Sequence, residues 1–509
     1  MVIKIRKPFA IFLLIAFGIV LIRTAWVGDD SYITMRTVDN FINGYGPTWN
    51  VNERVQTFTH PLWMFLLTIV YGVSSDAYLS LIGLSLFTSI STMFIFLVYG
   101  SEDAYSVLIG WTILMLSNAF IDYSTSGLEN PASHLMVLLF TLGYLKWRDQ
   151  LSQKRILVLA LLTSLLTLTR PDLLLLCLPA LAEILIPVET GKRFRVLVAG
   201  LMPLILWELF SVIYYGFPFP NTYYAKLNTG ISQYLLLKHG MLFLFNSIVW
   251  DPITLFTIGA SFLLSMLMGT RQEKMISLGV GVYLAYVLWI GGDFMTGRFL
   301  SVPLLSSVII LVGLLSRFSF IQKTLLFIVL VFLGFLTDRP SFIVSTTQDA
   351  EFENLTGVGD EQAGYYPATG LLSRERTTSF PDHQWYYDGG DLREQGVKVF
   401  VGKGIGFLGF NAGPAVHVID IFAIADPLLS HLPVRSETDL LIGHFRRSVP
   451  DGYVETLESG VNVIKDGGIA EYYEKLALIT RGSIWSFERW DAIWKLNTGQ
   501  YDFLLAPQK

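Results

Sequence analysis

Long apolar runs separated by short polar stretches fill the first two thirds of the chain. They lie at 9–26, 77–99, 105–121, 131–146, 156–169, 172–187, 196–215, 241–268, 275–290, 299–316 and 320–337. Since a helix needs about 20 mostly apolar residues to cross a bilayer, the pattern predicts about 11 transmembrane helices within residues 1–337. The first run has the length of a retained span and lacks the small-residue cleavage site of a signal peptide.

The pattern changes after Asp338-Arg339-Pro340. Short β-rich runs at 397–401 and 415–421 alternate with amphipathic stretches such as 469–478, divided by Gly and Pro. Charged residues make up 15% of the whole chain, but residues 338–509 alone hold 24 acidic and 15 basic ones. The sequence therefore predicts a polytopic α-helical membrane domain over 1–337 and a soluble α/β or α+β domain over 338–509.

Basic loops orient the predicted spans. They lie at 146–155, 192–195, 271–274 and 317–323, and loops of this kind stay in the cytoplasm. An eleven-span path satisfies all four, provided that residues 60–73 lie along the outer membrane interface. We therefore expect a multi-pass protein of the plasma (inner) membrane with a cytoplasmic N-terminus. The first loop, 28–76, and the C-terminal domain would lie outside, in the periplasm or extracellular space.

The net charge argues against binding of nucleic acid, and the cysteine content argues against sites built from cysteines. The net charge is -5 and no basic face is evident, which argues against nucleic acid. The single cysteine, Cys177, lies in an apolar run, so the chain has neither a disulfide framework nor a thiolate metal site.

Unusual polar residues collect at the outer ends of the predicted spans. Ionisable groups at a membrane face are costly and are usually functional or paired. They form these motifs: Asp29-Asp30-Ser31-Tyr32, Ser126-Gly127-Leu128-Glu129-Asn130, Arg170-Pro171-Asp172, Asn221-Thr222-Tyr223-Tyr224-Ala225-Lys226, Gly291-Gly292-Asp293-Phe294 and Gly297-Arg298.

This constellation suits a reaction between a lipid-phosphate-linked donor and an exported acceptor. A carboxylate at Asp29 can take the proton of an acceptor hydroxyl as general base. The cations Arg170, Lys226 and Arg298 can hold the leaving phosphate diester.

Simpler interpretations remain open at this point. The acids are common at helix ends, and each arginine can pair with a neighbouring acid, Asp172 or Asp293. Asp29, Asp30 and Glu129 also offer the oxygen ligands of a divalent cation, although they equally suit a polar acceptor site. No other cofactor is indicated.

The motifs resemble the GT-C membrane glycosyltransferases. Asp29-Asp30-Ser31-Tyr32-Ile33, Asn43-Gly44-Tyr45-Gly46, Glu53-Arg54-Val55 and Thr59-His60-Pro61-Leu62-Trp63 are similar to the first outer loop of that family. The nearest branch contains the terminal β-arabinofuranosyltransferase of mycobacterial cell-wall arabinan and proteins assigned to flagellar motor control. The likeness continues through the other outer motifs to residues 420–433 and Gly443-His444-Phe445-Arg446.

The resemblance implies an inverting transferase that moves a sugar, arabinofuranose or another pentose, from a polyprenyl-phosphate donor to a glycan, glycolipid or protein acceptor. Asp29 matches the catalytic acid, with Asp30 as its supporting partner, and Arg170, Arg298 and Lys226 would bind the donor phosphate. The C-terminal domain would bind carbohydrate or acceptor. Residues assigned to substrate binding are His60, Glu129, Asp172, Asn221, Tyr223, Tyr224 and Asp293.

One motif departs from the pattern of the family, and another fits the pattern of dinucleotide-binding proteins. Asp420-Ile421-Phe422-Ala423-Ile424-Ala425-Asp426 replaces the Gly-Leu-Thr-Asp core associated with the family. Gly404-Ile405-Gly406-Phe407-Leu408-Gly409 fits the dinucleotide-binding pattern, but a close backbone approach explains such glycines more simply. His383, His417, His431 and His444 lack metal-ligand spacing and are interpreted as surface or packing residues.

Two other functions compete with transfer. A secondary transporter would show paired repeats and ionisable residues at the bilayer midplane, and neither is evident in the sequence. A non-catalytic assembly protein of the cell envelope requires that the acids be dispensable.

Overall fold

A computed structural model describes residues 7–147, 152–185, 190–227, 229–337, 339–344, 357–374, 380–435 and 442–505. The first helices are α1 (Lys7–Thr24), α2 (Asp29–Ile42), α3 (Pro61–Ser74), α4 (Ala77–Tyr99), α5 (Ala104–Leu116), α6 (Asn118–Asp122), α7 (Asn130–Trp147), α8 (Gln153–Thr169), α9 (Leu174–Leu185), α10 (Thr190–Gly200), α11 (Met202–Tyr214) and α12 (Asn221–Leu227).

The chain continues through further helices and two short strands. They are α13 (Gln233–Trp250), α14 (Pro252–Met268), α15 (Arg271–Trp289), α16 (Ser301–Leu315), α17 (Phe320–Gly334), α18 (Glu361–Thr369), α19 (Gln384–Glu394), β1 (Val399–Gly402), α20 (Ile405–Ala412), β2 (His417–Asp420), α21 (Tyr453–Ser459), α22 (Gly467–Arg481) and α23 (Phe487–Asn497).

The chain forms two compact units. Unit 1 comprises Met1–Gly28, Asp76–Leu204 and Ser232–Phe380, and unit 2 comprises Asp29–Ser75, Ile205–Ile231 and Pro381–Lys509. Asp338 itself lies outside the described residues, and the predicted domain boundary there stays a prediction.

Unit 1 is built around α16. Nearly every residue of this helix is buried, and it packs against α5, α7 and α14. A helix that is apolar all round is stable only when neighbours or lipid cover it. The short 3₁₀ turns Pro171–Leu173 and Arg298–Leu300 precede α9 and α16, so each carries polar residues to a helix boundary.

By length and composition, three described helices can cross a membrane: Lys7–Thr24, Ala77–Tyr99 and Arg298–Leu315. Two bent pairs, Gly191–Gly200 with Met202–Tyr214 and Gln233–Trp250 with Pro252–Met268, raise the number to five. The remaining predicted spans stay predictions.

The bend inside the predicted span at 241–268 has a local cause. Pro252 has no N–H to continue the helix, and α13 and α14 meet there at 109°. The Oδ2 atom of the buried Asp251 accepts hydrogen bonds from the Ala119 amide (2.9 Å) and the hydroxyls of Ser117 (3.1 Å) and Thr254 (2.6 Å). The polar groups at the break are thus satisfied inside the protein, as a low-dielectric surrounding requires.

Unit 2 contains the sheet. β1 and β2 pair in parallel, from Val399 opposite His417 to Gly402 opposite Asp420, and α20 connects them. Parallel strands need such a crossover. β1 overlaps the predicted β-rich run 397–401 and ends one residue beyond it, β2 lies within the predicted run 415–421, and α22 covers the predicted amphipathic stretch.

The predicted topology can be tested with reporter fusions. Because basic loops stay inside, we expect cytoplasmic signals after Gly100, Arg155, Lys192 and Arg271. We expect exterior signals after Asp76, Asn130 and Gly390. A cytoplasmic signal after Asp76 would mean that α3 crosses the membrane, and the eleven-span topology would then be wrong.

Candidate active site

Asp29 begins α2, and its carboxylate is held by the N-terminal end of α20. Oδ2 accepts a hydrogen bond from the Gly406 amide (3.0 Å), and Oδ1 accepts one from the Phe407 amide (2.7 Å). The residue is only 5% exposed. Burial raises the pKa of Asp29 to about 7, with the negative charges of Asp30 and Asp420 adding to the rise and the two amides opposing it. Such a pKa suits a general base at neutral pH.

Asp30 is more exposed than Asp29 and interacts electrostatically with His444. Burial lowers the pKa of His444 to about 4, an effect that Asp30 opposes and Lys226 reinforces. Two predicted site residues, Asp30 and Lys226, are therefore both near His444. From the sequence, His444 is interpreted as a surface or packing residue, although it lies in one of the motifs that carry the family resemblance.

Asp420 is a buried acid that the sequence analysis did not assign to the site. It ends β2, and its carboxylate accepts hydrogen bonds from the amides of Phe422 (2.9 Å), Ile424 (2.6 Å) and Ala425 (3.2 Å). Burial raises its pKa to about 6, and the charge of Asp30 adds to the rise. Its position at the carboxyl end of a predicted strand was the signal that could have identified it.

Asn221, predicted to bind substrate, organises the loop after β2. Its Nδ2 donates to the carbonyl oxygens of Ala423 (2.8 Å), Ile424 (3.0 Å) and Asp426 (3.1 Å). Its Oδ1 accepts from the Ser430 hydroxyl at 3.0 Å. The side-chain amide thus fixes the same loop that Asp420 caps, while its role towards substrate stays a prediction.

The two predicted tyrosines of α12 differ in exposure. Tyr223 is 41% exposed and stacks on Phe219 with ring centroids 4.4 Å apart. Tyr224 is partly buried and stacks on His431 at 5.3 Å. Tyr223 is therefore the better placed of the two to stack on a sugar or lipid from solvent.

His60 lies within the first loop, directly before α3. It is 7% exposed, and its Nε2 lies 2.7 Å from the hydroxyl oxygen of Thr34 on α2. This contact connects α3 to the helix that begins with Asp29.

Unit 1 holds the remaining predicted residues in one ion-pair network around Glu129, which is fully buried. Arg298 Nη2 lies 3.2 Å and 3.4 Å from the two Glu129 carboxylate oxygens, and Arg170 Nε lies 3.6 Å from Oε1. Arg170 also pairs with Asp172 at 2.5 Å and 3.2 Å, and Arg298 Nη1 lies 4.0 Å from Asp293 Oδ2. The structure thus brings these five predicted residues together.

Arg170 keeps donor capacity for a ligand. Its guanidinium also donates to the Tyr283 hydroxyl at 3.3 Å and lies over the Phe299 ring at 4.2 Å. Its buried Nη1 has no hydrogen-bond partner among the described residues. Because a buried N–H without a partner is costly, a phosphate oxygen there would satisfy it.

The predicted residues therefore form two groups. Unit 2 holds Asp29, Asp30, His60, Asn221, Tyr223, Tyr224 and Lys226, and unit 1 holds Glu129, Arg170, Asp172, Asp293 and Arg298. Within the described part of the chain, no cluster of three or more His, Cys, Asp or Glu is arranged to hold a metal ion. The divalent cation considered from the sequence stays a prediction.

Sequence comparison identifies two curated relatives, whereas no family model matches the chain. The terminal beta-(1->2)-arabinofuranosyltransferase of Mycobacterium tuberculosis H37Rv is 25% identical, over 88% of this chain and 83% of the relative. The enzyme of the same name from Corynebacterium glutamicum is 28% identical, over 55% of this chain and 46% of the relative.

Structural comparison identifies ArnT from Cupriavidus metallidurans, in a crystal structure bound to undecaprenyl phosphate. The TM-score is 0.50 at 10% identity, covering 81% of this chain and 85% of ArnT. At that identity the likeness concerns the fold. The link to flagellar motor control stays a prediction. The GT-C resemblance carried by the outer motifs is confirmed: over most of its length the chain is similar in sequence to terminal beta-(1->2)-arabinofuranosyltransferases, and it shares the fold of ArnT.

Proposed function

We propose that this protein is a GT-C glycosyltransferase that moves a sugar from a polyprenyl-phosphate donor to an exported glycan, glycolipid or protein. The observation that carries the proposal is the similarity to an arabinofuranosyltransferase over 88% of the chain. The fold shared with ArnT, solved with undecaprenyl phosphate, supports a polyprenyl-phosphate donor. The relatives favour arabinofuranose as the sugar.

In the proposed mechanism Asp29 is the general base. An acceptor hydroxyl attacks the anomeric carbon, its proton passes to the Asp29 carboxylate, and a new glycosidic bond forms with inversion. The bond between the anomeric carbon and the phosphate oxygen breaks, and its electron pair leaves with the polyprenyl phosphate. Each Asp29 oxygen accepts one amide N–H and keeps a lone pair for the proton.

Arg170 and Arg298 are proposed to bind the donor phosphate, with Lys226 as a further cation. Glu129 touches both guanidinium groups and so fixes their positions relative to each other. Guanidinium groups held in this way can stabilise the charge that develops on the leaving phosphate without rearranging during the reaction.

The rate of transfer should fall as the pH drops through about 7. Asp29 acts as a base only when deprotonated, and its pKa in the folded protein is about 7. Below that pH the active fraction, and with it kcat/KM, should fall about tenfold per pH unit. The measurement is kcat/KM against pH for the purified protein, with its thermal stability followed over the same range. A rate independent of pH between about 8 and 5.5 would contradict Asp29 as the base.

Arg170→Lys and Arg298→Lys should impair use of the donor although the charge is kept, whereas Lys226→Arg should have a milder effect. A guanidinium binds phosphate oxygens through two parallel N–H groups, and an ammonium acts as a point charge. Binding of the donor lipid and thermal stability should be measured on all three variants. Wild-type affinity with lowered stability in the lysine variants would contradict the phosphate role and leave only the ion pairs.

Lipid analysis of a deletion strain tests the proposed function in the cell. Removing the transferase should cause its polyprenyl-phosphate sugar to accumulate, and mass spectrometry of the extract would then identify the sugar. Complementation with the wild-type chain should restore the donor to its normal level. An unchanged set of polyprenyl-phosphate lipids would contradict the proposal.

A further inference from the structure

The glycine-rich segment 404–409 approaches α2 closely. It follows β1 and forms most of α20, and Gly404 has a φ of +64° that suits glycine. A Cβ atom on Gly406 would overlap the backbone carbonyl of Asp29. The missing side chain therefore allows the amides of Gly406 and Phe407 to reach the Asp29 carboxylate.

Two further residues on the same face of α2 attach it to α20. Tyr32 packs edge-on against Phe407 and Phe410, with ring centroids 4.9 Å and 5.1 Å apart. Together with Asp29 and Arg36, Tyr32 follows the helical spacing of three and four residues that places side chains on one face.

Arg36 connects α2 to the middle of α20 and to the segment that follows it. Its Nη1 donates to the Gly409 carbonyl and its Nη2 to the Val416 carbonyl, each at 2.8 Å. It is 2% exposed and lies 4.2 Å from the Trp49 ring. A buried cation satisfied by carbonyls holds its partners firmly, because releasing it leaves a charge without compensation.

We infer that α20 is the positioning element of the proposed base: the amides of its second and third residues, Gly406 and Phe407, orient the Asp29 carboxylate, and Gly406 is the residue that makes this possible. The inference rests on the proposed function. It gives a segment in the last third of the chain an indirect part in catalysis, through Asp29 at the start of the first loop. Gly406 is thus a positioning residue, since it acts through Asp29.

Gly406→Ala tests the inference, with Gly467→Ala as matched control. Gly467 begins α22 in the same unit, and a Cβ there meets open space. In Gly406→Ala we expect kcat to fall about 10²-fold with KM for the donor unchanged, because the base is misplaced. The acidic limb of the pH profile should move to higher pH, since lost amide hydrogen bonds no longer favour the charged carboxylate. Gly467→Ala should match the wild type.

A second variant remains informative if Gly406→Ala does not fold. Replacing Phe407 by its α-hydroxy acid turns the amide into an ester, which deletes one N–H and keeps the side chain. In this ester variant, too, we expect the acidic limb of the pH profile to move to higher pH. An unchanged acidic limb in a variant that is folded and active would overturn the inference. Absence of transfer by the wild type would instead overturn the proposed function.

Discussion

Asp29→Asn is expected to reduce sugar transfer by about 10²–10⁴-fold, the usual cost of losing a positioned base. The protein should stay folded and inserted in the membrane, because asparagine has nearly the same shape and can still accept one of the two amide hydrogen bonds. The measurement is transfer of labelled sugar by the purified variant. Asp39→Asn, on the same helix, is the matched control and should keep wild-type activity.

Asp30→Asn decides the order of the acidic pair. Asp30 is the more exposed acid and lies in the electrostatic field of Asp29, Asp420 and His444, so its loss should cost less than that of Asp29. Near-normal turnover of Asp29→Asn together with an inactive Asp30→Asn would reverse the two roles. Activity in both variants would place the base elsewhere.

Glu129→Gln should destabilise the protein by about 3–5 kcal/mol, the usual cost of breaking a buried ion pair by removing one partner. Glu129 is fully buried and is shared by the buried Arg170 and the partly buried Arg298, so its neutralisation leaves both guanidinium groups with less compensation. Thermal and denaturant unfolding of the detergent-purified protein measure the loss. The control is Glu102→Gln at an exposed position of the same unit, and equal stabilities of the two variants would show that the network contributes nothing.

The sequence was most informative where local pattern determines structure. The change from apolar span to acidic loop predicted a functional carboxylate directly after α1, and the structure places Asp29 at the first position of α2. The ion pair between Arg170 and Asp172 could also be anticipated, because Arg170 alone separates α8 from the 3₁₀ turn that contains Asp172.

Contacts between distant residues could not be predicted. The amides that hold Asp29 are 377 and 378 residues away in sequence, and a backbone donor leaves no side-chain signature. The glycines at 404–409 indicated a close approach but not its target. Asp420 was noted only as a departure from the family motif, whereas its three amide hydrogen bonds show that the carboxylate fixes the following loop.

The spans were harder to predict than the motifs, because hydropathy does not register a break whose polar groups are satisfied internally. The run at 241–268 looks like one long apolar segment, yet α13 and α14 are bent by 109° at Pro252. The Asp251 carboxylate accepts the hydrogen bonds at that bend. In the sequence this residue is only an isolated charge in a hydrophobic run.

Transfer of labelled sugar by the purified protein in vesicles tests the central claim most directly. The donor is a polyprenyl phosphate carrying labelled arabinofuranose, with other pentoses offered in parallel, and the acceptor is an arabinan fragment or a cell-envelope extract. We predict that label enters the acceptor while free polyprenyl phosphate is released in equal amount, and that the Asp29→Asn protein does neither. No transfer from any donor lipid by the folded wild-type protein, together with uptake of substrate into the vesicles, would contradict the account and favour a transporter.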